Sequence, residues 1–188
     1  MIPIETERLT LRKFSDRDAD DILAFSSDPS LAQHLHLAQH LRAFPGPTFD
    51  SVKEYLRVQE QLALGSPEQC VDLAVELKSE RRVIGLMTMV CHADQQGEVG
   101  FAIHGAYQRK GYATEALRAL LEHGFTEMGF HRIFSSTGRM NISSWMLLER
   151  VGMRKEAVFL QDHLENGQWH DSFVYAMLKS DWLERSDR

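Results

Sequence analysis

His104-Gly-Ala-Tyr-Gln-Arg-Lys-Gly-Tyr-Ala113 joins two segments of different periodicity, and the fold follows from that junction. Upstream, Gly97 to His104 is a short strand-like run. Downstream, Ala113, Ala116, Leu117, Leu120, Leu121, Gly124, Phe125 and Met128 recur at the three- and four-residue spacing of a helix buried along one face. The junction is therefore a strand-to-helix loop, and Gly111 lets its backbone approach a ligand closely. A helix start exposes unpaired amides and a partial positive charge, so this loop, with Arg109 and Lys110 beside it, is a candidate phosphate cradle. It carries neither the Gly-Lys-Ser/Thr of a Walker loop nor a G-x-G-x-x-G.

Past the helix, Gly129 is a stop signal and Arg132-Ile-Phe-Ser-Ser136 reads as a short buried strand. Strand, helix and strand make a crossover, whose two strands must be parallel. Upstream of the junction, Val71 to Leu77 and Arg82 to Val90 form an antiparallel hairpin that continues through Asp94-Gln-Gln into Gly97–His104. Arg8 to Phe14 alternates as a half-buried first strand. Ser15 or Asp16 can cap a helix with Ala19, Ile22, Leu23 and Phe25 inward, ending before Asp28-Pro29. Ser30 to Phe49 shows helix-like spacing at Leu31, Leu35, Leu37 and Leu41, then a loop at Pro45-Gly-Pro47. Val52, Tyr55, Leu56, Gln59 and Leu62 mark a second helix. A short helix from Ile142 to Arg150 stops at Gly152, and two strand-like runs between Lys155 and Leu178 flank an Asn166-Gly167 turn. Counted along the chain, Gly97–His104 is the fourth strand and Arg132–Ser136 the fifth, in a mixed sheet.

The 188 residues suit one domain spanning residues 1–188, and the net charge of −6 with no basic tract argues against a nucleic-acid partner. No apolar run is long enough for a membrane span, and Met1 to Arg12 does not resemble a secretion signal, so the expected compartment is the cytoplasm. Cys70 and Cys91 lack metal or disulfide spacing and read as reduced packing residues. His34, His36 and His40 have no cysteine or acidic partners at ligand spacing, so no metal is expected. Trp145, Trp169 and Phe159 read as packing aromatics.

Gln108-Arg-Lys-Gly-Tyr-Ala113 matches Gln/Arg-x-x-Gly-x-Gly/Ala, the signature of acyl-CoA-dependent N-acetyltransferases of the GNAT superfamily. Thr6-Glu-Arg-Leu-Thr-Leu-Arg12, Gly100-Phe-Ala-Ile-His104, Asn141-Ile-Ser-Ser144 and Leu148-Glu-Arg-Val-Gly-Met153 follow in matching order. The chain resembles that superfamily over nearly its whole length, and within it the RimJ/RimL-like branch, which includes acetyltransferases for ribosomal-protein N-termini. The resemblance implies an α/β fold whose mostly antiparallel twisted sheet carries a parallel, splayed pair at strands 4 and 5, with helices on both faces. It implies acetyl-CoA as co-substrate, its pantetheine arm paired with Phe101, Ala102 and Ile103 and its pyrophosphate on the amides of Gln108, Arg109, Lys110, Gly111, Tyr112 and Ala113. Asn141 would hold the pantetheine arm or thioester from the other side.

The implied chemistry is direct attack of a primary amine on the acetyl thioester. Glu98 is the candidate base, an amide near Ala102 or Ile103 would stabilise the oxyanion, and Ser144 would orient or protonate the leaving thiolate. No tyrosine lies between Asn141 and Gly152 to serve as the acid that many relatives use. Plainer roles stay open: Glu98 as a solvated strand-end carboxylate, and Asn141 and Ser144 as helix caps. The expected acceptor is a protein or peptide N-terminal α-amino group. The alternatives are a small amine such as a polyamine, amino sugar, amino acid or antibiotic, or a regulatory CoA-binding module without turnover. Ser30 to Phe49 and the Asn166-Gly167 hairpin would wall the acceptor cleft, and the protein would be a monomer or homodimer.

Overall fold

The computed structural model describes residues 2–28, 45–66, 69–165 and 167–186. Its strands are β1 (Ile4–Glu5), β2 (Leu9–Lys13), β3 (Cys70–Leu77), β4 (Arg82–His92), β5 (Gln96–Ile103), β6 (Arg132–Gly138), β7 (Arg154–Glu165) and β8 (Gln168–Leu178). They form one eight-stranded sheet in the order β1-β2-β3-β4-β5-β6-β8-β7. Every neighbouring pair is antiparallel except β5 and β6, which are parallel. The helices are α1 (Ala19–Ser26), α2 (Phe49–Gln61), α3 (Tyr112–Thr126), α4 (Ile142–Val151) and α5 (Lys179–Ser186). This is the mixed α/β sheet expected from the junction, and the parallel pair flanks the crossover helix α3.

Side-chain alternation sorts the core onto two faces of the sheet. Leu73, Val75, Met87, Met89, Val99 and Ile133 pack with Leu117, Leu120, Leu121 and Phe125 of α3 and with Leu147, Leu148 and Val151 of α4. Ala74, Leu86 and Ala102 turn the other way, against Ile22 and Phe25 of α1 and Val52, Tyr55 and Leu56 of α2. Covering both faces explains why β4 is apolar almost without interruption. α3 comes so close to β6 that a Cβ at Gly124 would lie 2.7 Å from Ile133 Cδ1. A buried polar knot fastens α2 to β3: Asp72 accepts from Tyr55 Oη at 2.7 Å and Gln59 Nε2 at 3.3 Å, and from Thr88 Oγ1 of β4 at 2.5 Å.

Several details depart from the sequence reading. β1 is only two residues long, too short for any periodicity, and its presence makes β5 and β6 the strands counted fourth and fifth above. The apolar stripe of α3 runs to Met128 but the helix ends at Thr126, because Gly129 at φ +72° turns the chain so that Phe130 N donates to Gly124 O. α5 has a weak apolar pattern and is recruited by contact, Trp182 lying 6.0 Å from Phe125 between ring centres. Phe159 and Trp169 are not packing residues. They are 50% and 59% exposed, because β8 leaves β6 at the Gly138–Ser172 pair and the β7–β8 hairpin runs on beyond it. Trp145, by contrast, is partly buried against the core, as a packing aromatic should be, and its indole Nε1 donates to Arg139 O at 3.2 Å. Cys70 and Cys91 are free thiols on adjacent strands. Among the described residues no helix is long and apolar enough to cross a membrane. Leu31, Leu35, Leu37, Leu41, the histidines His34, His36 and His40, and Asn166 lie outside the described residues.

The turn after β2 is held by charge. Arg12 donates to both carboxylate oxygens of Asp18 at 2.7 Å and from Nε to Glu76 at 2.6 Å, while Ser15 N donates to Asp18 at 2.8 Å. Burial alone would raise the Asp18 carboxyl, but the Arg12 and Ser15 donors hold it below its ordinary value. A carboxyl depressed by folding contributes stability above its unfolded pKa of about 3.9, and that contribution is lost as pH falls through the folded value. Asp18→Asn is expected to lower unfolding free energy at pH 7 by about 2 kcal/mol, since half-buried Arg12 loses a charged, two-pronged partner but keeps Glu76. Below pH 3 the gap between variant and parent should narrow, which urea denaturation at both pH values checks.

Candidate active site

β5 and β6 stay in register only for Gln96–Arg132, Gly97–Ile133 and Glu98–Phe134. From Val99 onward β5 pairs with β4 alone, so the two parallel strands part and leave an open edge. Which residues address the split follows from alternation along β5. Gln95 O accepts from His131 N on the β6 side, whereas His104 N donates to Ile84 O on the β4 side. Odd-numbered residues therefore direct their backbone groups into the split. Phe101 and Ile103 face it, whereas the backbone of Ala102, opposite Leu86, faces β4 and contributes wall. Gln108 Nε2 donates to Ile103 O at 2.9 Å, which leaves the amides of Phe101 and Ile103 and the Phe101 carbonyl for a ligand.

The split opens into a cleft of about 770 Å³ bounded by β5, the loop into α3, the end of β6 and the start of α4. Phe101, Ala102, Ile103, Gln108, Arg109, Gly111, Tyr112, Ala113, Asn141 and Ser144 all line it. In the loop, Arg109 at φ +60° and Gly111 at φ +85° are left-handed, a conformation that glycine adopts without steric cost. Among the described residues, the amides from Arg109 to Thr114 donate to no group. The six-residue stretch thus presents free N–H donors at the start of a helix, with cationic side chains nearby, as a diphosphate requires. An extended chain bearing amides fits the β5 edge equally well. Ile142, Met146 and Arg150 of α4, one turn apart, form the opposite wall.

The opening motif of the sequence proves to be the bolt on this loop. Arg8 donates to Glu115 from its backbone N at 2.8 Å and its Nε at 2.7 Å, Thr6 Oγ1 adds a bond of 2.6 Å, and Arg8 Nη1 reaches Lys110 O at 3.0 Å. The Arg8 guanidinium also lies 4.5 Å above the Tyr112 ring. Burial works against ionisation of Glu115, but Thr6 and Arg8 together lower its carboxyl below the ordinary value. Sequence reading missed this pair. Arg8 was visible in the motif, yet its partner is distant in the chain and no local signal joins them.

Asn141 is the N-cap of α4, its Oδ1 accepting from Ser144 N at 3.2 Å and Ser143 Oγ at 3.1 Å. Its Nδ2 has no partner among the described residues, so capping leaves a donor for the cleft. Ser144 Oγ likewise has no partner among the described residues and lies half-buried on the cleft wall. Lys110 is exposed at the mouth, 5.3 Å over the Tyr107 ring. Glu98 stands apart from the cleft lining. It occupies the last β5–β6 pair before the split, on the face that also carries Gly100 and Ala102, with its carboxylate 3.0 Å from His92 Nε2. Burial, then the carboxylates of Asp72 and Glu98, push the nearby Cys70 thiol up to about 12, which places negative charge on this face. Tyr175 donates to Glu149 beneath α4 and does not line the cleft. Among the described residues no group of His, Cys, Asp and Glu has the arrangement of a metal site.

A family model described as an acetyltransferase (GNAT) domain matches residues 8–154. An N-acetyltransferase of Bacillus subtilis, named as the uncharacterized YnaD, is 28% identical over 180 residues, 95% of this chain and 98% of that one. The structure of a ribosomal-protein-S5-alanine acetyltransferase from Vibrio fischeri aligns at TM-score 0.79 with 23% identity, over 97% of this chain and 99% of that one. A spermidine N-acetyltransferase from Vibrio cholerae in complex with CoA and spermine aligns at TM-score 0.76 with 21% identity, over 95% and 99%. These two structures share the fold. Replacing Glu115 by Gln should loosen the loop without unfolding the domain: amide exchange from Arg109 to Thr114 should accelerate about tenfold by mass-resolved hydrogen exchange, the equivalent of about 1.4 kcal/mol of local stability.

Proposed function

The chain belongs to the acetyltransferase (GNAT) domain family and is an N-acetyltransferase acting on an amine, and on that premise we propose that its acceptor is the N-terminal α-amino group of a protein or peptide. The observation that carries the mechanism is the parting of β5 and β6 immediately beyond Glu98. Acetyl-CoA supplies the acetyl thioester. Phe101 and Ile103 would pair with its extended pantetheine arm, Ala102 would wall it, and the amides running from Arg109 through Lys110, Gly111 and Tyr112 to Ala113 would hold the pyrophosphate; the Gln108 amide, expected to join them, already donates to Gly105 O at 3.2 Å. Asn141 Nδ2 would hold the arm from the α4 side.

Glu98 would take a proton from the incoming ammonium, so that the neutral amine attacks the thioester carbonyl carbon. A free amide of the β5 edge, Ile103 or Phe101, would bind the oxyanion in the tetrahedral state. Collapse breaks the carbon–sulfur bond; the nitrogen, cationic after the attack, would give its remaining extra proton to Ser144 as the Ser144 hydroxyl proton passes to the departing thiolate, so that the hydroxyl ends as it began. An α-amino group with a pKa of about 8 keeps a sizeable neutral fraction near pH 7, whereas a lysine-type amine of about 10 keeps very little. The demand on one carboxylate is therefore smaller for a chain N-terminus, and the RimJ/RimL-like motifs point the same way. The second reading is a polyamine, favoured by the Glu98 carboxylate beside the split and by the name of the Vibrio cholerae structure.

Calorimetric titration of acetyl-CoA should give saturable one-site binding that Gly111→Glu abolishes, since a side chain at φ +85° is strained and a carboxylate there repels the diphosphate. Thiol release is then measured with hexapeptides beginning in Ser or Ala, with the same peptides N-terminally blocked, and with spermidine. Turnover of free but not blocked peptides is the expected result. Preference for spermidine would establish the second reading, and absence of both binding and turnover would defeat the two together.

A further inference from the structure

We propose that His92 is the outlet through which Glu98 passes the acceptor's proton to solvent. The inference rests on the reading of Glu98 as the base. Over one turnover the ammonium loses two of its three N–H protons: one ends on the CoA thiol and the other must reach water. Glu98 is poorly placed to release that proton alone, because its side chain is only 18% exposed. His92, at the end of β4, keeps 31% of its side chain exposed and sets Nε2 3.0 Å from Glu98 Oε2. Imidazole is the side chain that takes up and gives back protons near neutral pH.

The ring is also fixed in place. It stacks on Phe134 at 5.5 Å between centres with 27° between planes, and Phe134 is the residue paired with Glu98 across the last parallel register position. The strand pairing that puts Glu98 at the split therefore aligns its partner as well. Charged and titratable groups surround the pair on every neighbouring strand. Cys70 and Asp72 lie on β3, and Arg132 of β6 sits 4.9 Å over Phe134 while paired with Glu156 of β7 at 2.7 Å. The step balances: the carboxylate gains a proton from the ammonium, the proton moves to imidazole Nε2, and the imidazolium releases one to water, leaving both groups as they began. His92 does not touch the amine and acts through Glu98, so it is a positioning residue.

The test uses the full-length protein with whichever probe above turns over fastest, a Ser- or Ala-starting hexapeptide or spermidine. His92→Gln keeps a hydrogen bond to Glu98 but cannot carry a proton, and His92→Ala opens room for free imidazole. Each should lower kcat/KM about tenfold at pH 7, against about a hundredfold for Glu98→Gln. Added imidazole should restore the His92→Ala rate in proportion to its concentration and leave His92→Gln and Glu98→Gln unchanged. The acid limb of the pH profile should move in His92→Gln. Rescue of His92→Ala alone supports the outlet. A crippled Glu98→Gln beside fully active His92 variants, or losses that imidazole does not rescue, overturns it while Glu98 stands. An undiminished Glu98→Gln removes the base and the outlet together.

Discussion

A parallel pair that ends after three residues is the constraint on which the rest of the structure depends. Inside a sheet, a strand edge without a partner leaves backbone donors and acceptors unmet, and each costs free energy when shielded from water. The chain leaves this edge open in the middle of its sheet and compensates only in part. Gln108 takes the Ile103 carbonyl, β4 takes the even-numbered residues of β5, and the starts of α3 and α4 line the gap. What remains is a short row of amides facing a cleft that an extended amide-bearing chain can complete. The open edge is at once a defect in the sheet and a recognition surface.

Holding that edge open demands rigidity at a distance. The loop into α3 contains left-handed Arg109 and Gly111 and a run of amides with no partner among the described residues, an arrangement that would collapse onto itself if unsupported. Support comes from the first strands: Thr6 and Arg8 grip Glu115 one turn into the helix, and Arg8 also holds the Lys110 carbonyl. Side-chain hydrogen bonds thus do for the loop what backbone pairing does for the sheet, and they leave the amides free for a ligand. α2 is fastened in the same manner on the other face, by the buried Asp72 knot.

Sequence made the backbone plan legible wherever period and punctuation agreed. The long stripe of α3, the meander before it and the short strand after it required a parallel pair, and the Gln108–Ala113 signature located the loop. The resemblance also brought Asn141 and Ser144 to the cleft, where Asn141 proved to serve as cap and wall through different atoms. What stayed hidden was contact between segments remote in the chain. Arg8 with Glu115 and His92 with Glu98 depend on register and helix placement, which no local pattern encodes. Trp169 and Phe159 misled because a large aromatic normally signals packing, whereas here the hairpin outruns the layer that would cover it. β1 and α5 were too short or too polar to declare themselves, and both form because the sheet edge and the α3 surface receive them.

Charged groups are placed differently on the two sides of the split. On the α3–α4 side the cleft gathers Arg109, Arg150 and two helix starts, all suited to an anion. On the α1–α2 side lie Asp72 and Glu98, close enough to Cys70 to add to the effect of burial in raising its thiol. A net charge of −6 makes neither arrangement by itself, since a diffuse field is screened within roughly 8 Å at physiological salt. Local placement is what counts. On the proposed reading, a polyanion would be drawn to the first side and an ammonium to the second. Their reactive ends would then meet where β5 and β6 part, beside the Glu98 carboxylate at the last parallel pair. The same three-residue pairing that interrupts the sheet thus sets the anion-binding loop and the Glu98 carboxylate on either side of one opening.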